Sequence, residues 1–383
     1  MCARSYEIGI IIVSSIMHPI TWMEIKLSIP PWFSSAVAFV LGAVVGSFLN
    51  VCIHRLPRGE SIITPSSCCA SCGTAIRWFD NIPLISYLLL RGKCRNCGSR
   101  FSIRYWMVEW ITALFFVVIW RKFEWMEAVA YTLFVCGLIV ATFIDFEHYI
   151  ISNEITVGGI FAGLICSGIV PSLQGERFHA MGFLWSFLGA AMGYGALWTV
   201  VELGKRVFGI KKWVLPKSTE VFLTSEGIRV GTEIDRWEEI FSRENDVLAF
   251  DATRVCYGEK TWGKASIRVS WREIKIGEES FELSDFKELT AVTETIDVPR
   301  EAMGFGDVKF IAAIGAFLGP KAIFFVILVS SLLGSAVGLG SMFVGKKGWG
   351  SKLPYGPYLA IAAVIWMFWG LQWIACYFEW MEK

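Results

Sequence analysis

Long apolar runs constrain the fold of this chain more than any other feature of its sequence. The first of them, residues 33–53, has the length of about 20 residues that an α-helix needs to cross the hydrocarbon core of a bilayer. Hydrophobic residues make up 55% of the 383 positions and charged residues only 18%, with 18 Trp and 29 Phe. A water-soluble domain of this length has no need of such a composition, so the sequence predicts an integral membrane protein.

Further apolar runs predict an all-α polytopic membrane protein with about eight transmembrane helices, whose partner is the lipid bilayer. The predicted helices are residues 33–53, 105–120, 126–145, 154–172, 179–203, 307–318, 321–344 and 356–378. They divide the chain into a first helix, helices 2–5 within residues 105–212, and helices 6–8 within residues 301–383.

The N-terminal segment, residues 1–32, precedes these helices. Its apolar stretch at residues 8–16 is short and lacks an obvious small-residue cleavage site, so we do not interpret it as a signal peptide. The formal net charge of +1 gives no indication of nucleic-acid binding, and we expect none.

Residues 54–104 form a polar and strongly basic loop after the first predicted helix. Few acids offset its basic residues, which are Arg55, Arg58, Arg77, Arg91, Lys93, Arg95, Arg100 and Arg104. Short basic loops stay on the cytoplasmic side of the membrane, so the loop is expected to be cytoplasmic. Following the helices from this loop places both termini on the outer side.

Four of the eleven cysteines are patterned. Cys69-x-x-Cys72 and Cys94-x-x-Cys97 are each followed by a glycine, and about twenty residues separate the pairs, a spacing that suits tetrahedral zinc coordination by four thiolates. A reducing cytoplasm argues against disulfides. Cys68 adjoins the first pair, but the spacing selects Cys69. The alternative is a redox or incidental pair, which nothing nearby supports.

Residues 213–300 differ in character from the rest of the chain. Alternating segments such as residues 221–223, 228–230 and 265–271, together with a high charge, predict a small soluble domain of mixed strands inserted on the cytoplasmic side. A helix is expected around residues 233–241. We find no catalytic pattern in this insert, where Asp246, Asp251 and Cys256 are expected to be surface or packing residues.

Two acids adjoin apolar helices at positions far apart in the chain. Asp145 ends the third predicted helix, and Asp307 starts the sixth, so the predicted topology puts both at the same membrane face and depth. An ionised carboxylate is costly there, and two neighbouring carboxylates cannot easily both ionise. One therefore keeps a proton as general acid while the other activates a water as general base.

Gly304 and Gly306 flank Asp307 and remove side chains around it, which would let the backbone of a substrate approach. Lys309 closes the same motif and is grouped with these glycines as a substrate-approach residue. From these residues alone, a plain helix start in which Asp307 serves as the cap explains the pattern equally well.

Several further motifs accompany the two acids. They are Gly46-Ser47-Phe48-Leu49-Asn50-Val51 with Arg55-Leu56-Pro57, the two cysteine pairs, Asp80-Asn81-Ile82-Pro83 with Ser86, Arg104-Tyr105 with Glu109, Ile144-Asp145, Gly304-Phe305-Gly306-Asp307-Val308-Lys309, and Pro354-Tyr355-Gly356-Pro357. With these motifs, most of the membrane part resembles the type IV prepilin leader peptidases, membrane aspartic peptidases with a glycine-x-glycine-aspartate motif.

The resemblance implies that Asp145 and Asp307 are the catalytic acids. It also implies a location in the bacterial cytoplasmic (inner) membrane, with an active site that faces the cytoplasm and cleaves the basic leader from prepilins or pseudopilins. Many members also N-methylate the new N-terminus with S-adenosylmethionine, although no glycine-rich nucleotide-binding fold is visible here. The chain departs from the family pattern at Ser152 and Asn153, where proline and aspartate are frequent, and in the size of its insert.

Two other classes of protein remain as alternatives. An ion-coupled transporter could use Asp145 and Asp307 as proton-relay acids, and it would carry ions without cleaving peptides. A structural membrane protein with a zinc module would leave both acids dispensable.

Overall fold

The computed structural model describes residues 30–231, 233–241, 246–258, 260–283, 286, 288–299, 304–343 and 353–381. Residues 1–29 of the predicted N-terminal segment lie outside them. The described residues divide into two compact units, a helical unit that ends at Tyr194 and resumes at Gly306, and a second unit from Gly195 to Phe305.

Eight long helices occur among the described residues: α1 Pro31–Arg55, α2 Ile103–Lys122, α3 Trp125–His148, α4 Asn153–Ile169, α5 His179–Phe208, α6 Phe305–Leu318, α7 Pro320–Phe343 and α8 Gly356–Met381. Each coincides with one of the predicted apolar runs to within a few residues, and α4 ends at Ile169, before the predicted end at residue 172. Five of them are long and apolar enough to cross a membrane (α1, α2, α3, α5 and α7), whereas α4 and the segment Gly356–Gly370 of α8 are apolar but shorter. A polytopic membrane protein is thus confirmed, and the number of eight spans stays a prediction.

Glycines bring α1 and α2 into close contact. A Cβ atom on Gly42 would lie 2.7 Å from the Cα of Ala113, and one on Gly46 would lie 2.7 Å from the Cα of Glu109. Small residues four positions apart on one helix face allow such an approach, and dispersion contacts between the two backbones then hold the helices together inside a bilayer. Gly42 and Gly46 therefore permit the close contact between α1 and α2.

The helix that carries Asp307, α6, has only 14 residues, fewer than the roughly 20 that a span needs. It is nevertheless stable because neighbouring helices enclose it, and all its residues from Phe310 to Leu318 are buried. A carbonyl group in its last turn is hydrogen-bonded by side chains of neighbouring helices. The Ala316 carbonyl accepts from Oγ of Ser186 at 2.6 Å and from Oγ of Ser167 at 3.2 Å. Inside a membrane each backbone group needs such a partner.

The second unit is built on one antiparallel sheet. Its strands are β1 Ile210–Leu223, β2 Gly227–Val230, β3 Glu233–Arg236, β4 Val247–Ala252, β5 Arg254–Tyr257, β6 Lys260–Trp262, β7 Ala265–Ser270, β8 Glu273–Ile276, β9 Glu279–Glu282 and β10 Leu289–Pro299. They follow the order β3-β2-β1-β10-β4-β7-β8-β9, and β5 pairs with β10 and β6. The expected domain of strands is thus present, slightly longer at its start than residues 213–300.

The register of β1 on β10 explains how this domain can interrupt a helical chain. Ile210, just after α5, lies opposite Pro299, and Leu223 lies opposite Leu289. The chain therefore leaves and returns at the same end of one long strand pair. Side chains such as Leu248, Ile267 and Ile274 are fully buried in its own core, as expected for an inserted domain that folds by itself.

The prediction of a helix around residues 233–241 is wrong for its first half. Residues Glu233–Arg236 form β3, which pairs with β2, and only the single turn Trp237–Ile240 is helical. Pairing with a neighbouring strand outweighs the weak local helix preference of a short segment. Asp246, expected at the surface or in packing, is buried and accepts a salt bridge from Nζ of Lys205 at 3.0 Å.

Candidate active site and metal centre

Asp145 lies in the last turn of α3, a helix that packs against α1, α2, α4 and α8. The helix ends at His148, and the next residue, Tyr149, has a left-handed φ of 56°, so the chain turns away just beyond the acid. Asp145 is buried, with only 5% of its surface exposed. Its Oδ2 accepts a hydrogen bond of 2.8 Å from the backbone N–H of Gly356.

Gly356 is the first residue of α8, and its N–H is one of those that no carbonyl of the same helix can satisfy. A carboxylate at this position satisfies the N–H and lies at the positive end of the helix dipole. A Cβ on Gly356 would lie 2.8 Å from Oδ2 of Asp145, so a side chain there would displace the acid. The motif Pro354-Tyr355-Gly356-Pro357 is typical of a turn that starts a helix, but its sequence alone does not indicate the contact of Gly356 with Asp145.

Asp307 lies in the first turn of α6 and is 9% exposed. Its carboxylate is close enough to that of Asp145 for their charges to interact. Among the described residues, no group donates a hydrogen bond to the buried Oδ1 of Asp307. The structure therefore brings together two acids that lie 162 positions apart in the sequence. An unpartnered buried oxygen is costly, and the catalytic role of the two acids stays a prediction.

The other predicted residues of this site occupy the turn around Asp307. Gly304 is exposed, and a Cβ on Gly306 would lie 3.2 Å from the Cβ of Ile151, in the connection between α3 and α4. Nζ of Lys309 donates to Oδ1 of Asn153 at 2.8 Å. Gly306 thus permits close packing of Ile151, and the proposed role of these residues in substrate approach stays a prediction.

Four cysteine sulfurs form a compact cluster in the loop between α1 and α2. All Sγ atoms of Cys69, Cys72, Cys94 and Cys97 lie within 4.8 Å of one another, and Cys68 is not among them. The Sγ atoms of Cys69 and Cys97 are 3.8 Å apart. Tetrahedral thiolates at a zinc–sulfur distance of about 2.3 Å would be separated by about 3.8 Å. The cluster therefore fits a structural metal site.

The two cysteine pairs share one backbone geometry. The backbone N–H of Cys69 donates to the Thr74 carbonyl at 3.0 Å, and that of Cys94 donates to the Ser99 carbonyl at 2.8 Å. Each cysteine pair therefore lies in a tight turn that these bonds close. Each turn passes through a left-handed glycine, Gly73 at φ 69° and Gly98 at φ 70°, which is the reason for a glycine after each pair. Backbone N–H groups of Cys72 and Ser71 lower the pKa of the Cys69 thiol to about 6, which favours the metal-binding thiolate.

Comparison with known proteins matches two family descriptions to the chain. The Bacterial Peptidase A24 N-terminal domain matches residues 40–123, and the Type IV leader peptidase family matches residues 132–214 and 293–339. Together they match more than half of the chain. The interruption between the two segments of the second match falls within the β-sheet domain.

Individual relatives agree with these matches. A prepilin leader peptidase/N-methyltransferase of Myxococcus xanthus is 39% identical over 185 residues, which are 47% of this chain and 53% of the relative. Proteins of the same name from Aeromonas salmonicida and Pseudomonas aeruginosa are 27% and 28% identical, over 89% and 88% of this chain and over 92% and 93% of the relatives. No solved structure matches the chain. Both family matches and the relatives that cover most of the chain agree, so the protein belongs to the type IV leader peptidase family.

Proposed function

We propose that this protein is a membrane aspartic endopeptidase that removes the leader of type IV prepilins or pseudopilins and N-methylates the new N-terminus. The observation that carries the proposal is the pair of buried, interacting carboxylates of Asp145 and Asp307. The relatives, which are named prepilin leader peptidase/N-methyltransferase, support the same activity. The basic loops favour a cytoplasmic position for this pair, and the family resemblance implies the bacterial inner membrane.

The surroundings of the two acids suggest how they divide the chemistry. The Gly356 N–H and the start of α8 favour negative charge on Asp145, whereas Oδ1 of Asp307 lacks a donor among the described residues. The shared proton is therefore better placed on Asp307. Asp145 takes a proton from the attacking water while Asp307 gives its proton to the scissile carbonyl oxygen, which forms a diol. Asp145 then passes its proton to the amide nitrogen, Asp307 takes a proton back from one diol hydroxyl, and the C–N bond breaks to leave a carboxylic acid and an amine.

A cavity of about 230 Å³ between α1, α3, α4 and α6 offers a place for the apolar helix of the substrate. Its lining is nearly all apolar and includes small residues such as Gly137, Gly158 and Gly159. A Cβ on Gly137 or Gly158 would meet no atom within 4 Å. The substrate helix would lie here, along the same α3 and α6 that carry the two acids.

Filling this cavity should slow cleavage. We expect Gly158→Leu to lower kcat/KM at least about tenfold, because an added isobutyl group takes the space of substrate side chains and each lost methylene contact weakens binding. Initial rates with a prepilin peptide in lipid vesicles measure the effect. The matched control is Gly340→Leu on α7, where a Cβ also meets open space. Equal rates for the two variants would place the substrate helix elsewhere.

The four cysteines are proposed to hold zinc, which would organise the loop of residues 54–104, while S-adenosylmethionine would supply the methyl group. Thiolate ligands in a closed tetrahedral set are typical of structural zinc, and such a metal contributes to folding and not to peptide hydrolysis. Zinc analysis of protein purified without chelator tests the metal.

The proposed peptidase is tested with the purified full-length chain in lipid vesicles. A synthetic prepilin peptide that spans the leader and the start of the apolar helix should lose the leader, and intact-mass measurement should find both products. A proton-relay transporter would instead produce a pH change inside the vesicles and leave the peptide intact. An intact peptide under conditions where the Pseudomonas aeruginosa relative cleaves it would overturn the proposal.

A further inference from the structure

A short helix in the loop between α1 and α2, Ile85–Leu89, has two faces of opposite character. One face adjoins a cavity of about 280 Å³, whose polar lining includes Asn50, Asp80, Ser86 and Glu109. The other face consists of Ile85, Leu88 and Leu89, of which Leu88 is 63% and Leu89 78% exposed. Residues at positions i, i+3 and i+4 lie side by side on a helix, so these three side chains form one apolar face.

The position of the short helix along α2 indicates how deep this apolar face lies. With its 20 residues, α2 is about 30 Å long, which is the thickness of the hydrocarbon core that it has to cross. Glu109 follows the first residue of α2 by six positions, so it lies about 9 Å inside the bilayer. Its Oε2 accepts a hydrogen bond of 2.7 Å from the backbone N–H of Leu84, the residue before the short helix. The loop therefore folds back toward the membrane.

The backbone at the start of the short helix suits an apolar environment. The successive N–H groups of residues 84–86 donate to Oε2 of Glu109, the Pro83 carbonyl at 2.6 Å and the Ile82 carbonyl at 3.1 Å. Leu84 adopts a left-handed φ of 62°, a conformation that is costly for a residue with a side chain and persists where the surroundings hold it. Backbone at the depth of the hydrocarbon core needs such internal partners because lipid offers none.

Three cations follow the apolar face in the chain. Arg91, Lys93 and Arg100 are all exposed, and Lys93 lies opposite Arg100 in an isolated antiparallel β-bridge. Like charges in directly opposed positions destabilise such a pair. The ion pairs of this loop involve other basic residues, and no acid in the described part of the chain pairs with these three. The cluster is therefore suited to an anion from outside the protein.

Trp78 adds an aromatic anchor beside the apolar face. It is 81% exposed and begins the turn Trp78–Asn81, which packs against the short helix. Oγ of Ser86 donates to the Phe79 carbonyl at 3.0 Å and so links the turn to the helix. Tryptophan is enriched where a membrane meets water, which is the level that the bond to Glu109 indicates for the short helix.

We propose that the apolar face enters the leaflet at this end of α2, which the basic loop marks as cytoplasmic, and that Arg91, Lys93 and Arg100 bind the headgroup of an anionic phospholipid. Amphipathic helices at a membrane surface bury their apolar side chains to about 5–10 Å, in agreement with the depth of Glu109. Basic residues beside a leaflet add attraction to its anionic lipids. The four-cysteine cluster would then be held at the membrane surface. This inference goes beyond the proposed peptidase, and its tests need no peptide substrate.

The depth of the apolar face is tested with the full-length protein in lipid nanodiscs. A dansyl amino acid is incorporated at position 89, where the side chain is exposed. Lipids brominated along their acyl chains should remove most of its fluorescence, and iodide in the water should remove little. The same probe at Ile234, an exposed residue on β3 of the sheet domain, should show the reverse. Quenching at position 89 by iodide alone overturns the proposal. So does protection from both quenchers, which would indicate a protein partner.

The headgroup site is tested by the lipids that the protein retains. Protein extracted from nanodiscs of equal parts phosphatidylglycerol and phosphatidylcholine is examined by native mass spectrometry, which gives the ratio of the two bound lipids. Lys93→Gln combined with Arg100→Gln should lower the preference for phosphatidylglycerol about fivefold for each charge removed. The matched control combines Arg254→Gln with Lys264→Gln, two exposed cations of the sheet domain, and should leave the ratio unchanged.

Thermal midpoints report whether these variants fold. If the variant of Lys93 and Arg100 does not fold, Arg91→Gln should show the loss expected for one charge. An unchanged lipid ratio in a folded variant of the cluster overturns the proposal. An equal fall in the control variant also overturns it, because the preference would then follow the total charge of the protein and not this site.

Discussion

Replacing either Asp145 or Asp307 by asparagine is expected to reduce leader cleavage by about a hundred- to ten-thousand-fold, the range by which general acid or base groups accelerate reactions. An amide can neither accept the proton of the attacking water nor deliver one to the carbonyl oxygen. The shape of the side chain is kept, and an asparagine at position 145 can still accept the Gly356 N–H that the acid accepts now. The loss should therefore appear in kcat while the protein inserts and folds normally.

Cleavage rates of the purified variants, with the thermal midpoint measured alongside, check this expectation. Asp251→Asn is the matched control, because this acid is exposed on β4, outside the helical unit. Near-normal cleavage by either Asp145→Asn or Asp307→Asn would remove the acid pair as the catalytic site. The transporter would be favoured if the unmodified protein carried ions but cleaved no peptide, and if both variants lost the ion flux.

The second large effect is expected from the cysteines. Cys69→Ser should abolish stoichiometric zinc binding and unfold the loop of residues 54–104, because the free energy of metal binding, about 10–16 kcal/mol in zinc-finger peptides, is also folding free energy. Cys69 is 1% exposed, so its replacement also leaves a polar hydroxyl where a thiolate was enclosed. Zinc content by elemental analysis and limited proteolysis of the loop measure the two consequences.

The adjacent cysteine provides the control for this experiment. Cys68→Ser should retain zinc, because the Cys68 sulfur lies outside the cluster that Cys69 forms with Cys72, Cys94 and Cys97. Zinc retained by Cys69→Ser and lost from Cys68→Ser would contradict the ligand assignment. No zinc in the unmodified protein, purified without chelator, would contradict the metal itself.

Local patterns predicted a large part of this structure. A helix in lipid must satisfy its backbone groups within itself, so apolar runs such as residues 33–53 and 126–145 predicted α1 and α3 to within a few residues. The cysteine spacing predicted the metal cluster for a similar reason, since each Cys-x-x-Cys turn is closed by its own backbone. The residue after each pair, Gly73 or Gly98, has a left-handed φ, and glycine adopts this conformation without the cost that other residues incur.

Other features depend on contacts between distant segments. The sequence alone could not show that β3 replaces the first half of a predicted helix, because strand pairing is set by a partner elsewhere in the chain. Nor could it show that α6, with only 14 residues, would be enclosed by other helices. That length is tolerated only because α4 and α5 enclose the helix and donate hydrogen bonds to its last carbonyls.

For the candidate active site, sequence patterns predicted which acids are present, where along their helices they lie, and the family to which their motifs point. Three features became visible only in the folded chain: Asp145 contacts the N-terminus of α8 through Gly356, Asp307 has an oxygen without a donor among the described residues, and Asn50, Asp80 and Glu109 line one cavity. The difference lies in the range of the interactions. Helix formation and metal turns are fixed by neighbours a few residues away, whereas electrostatic coupling and cavity shape depend on how separate helices pack.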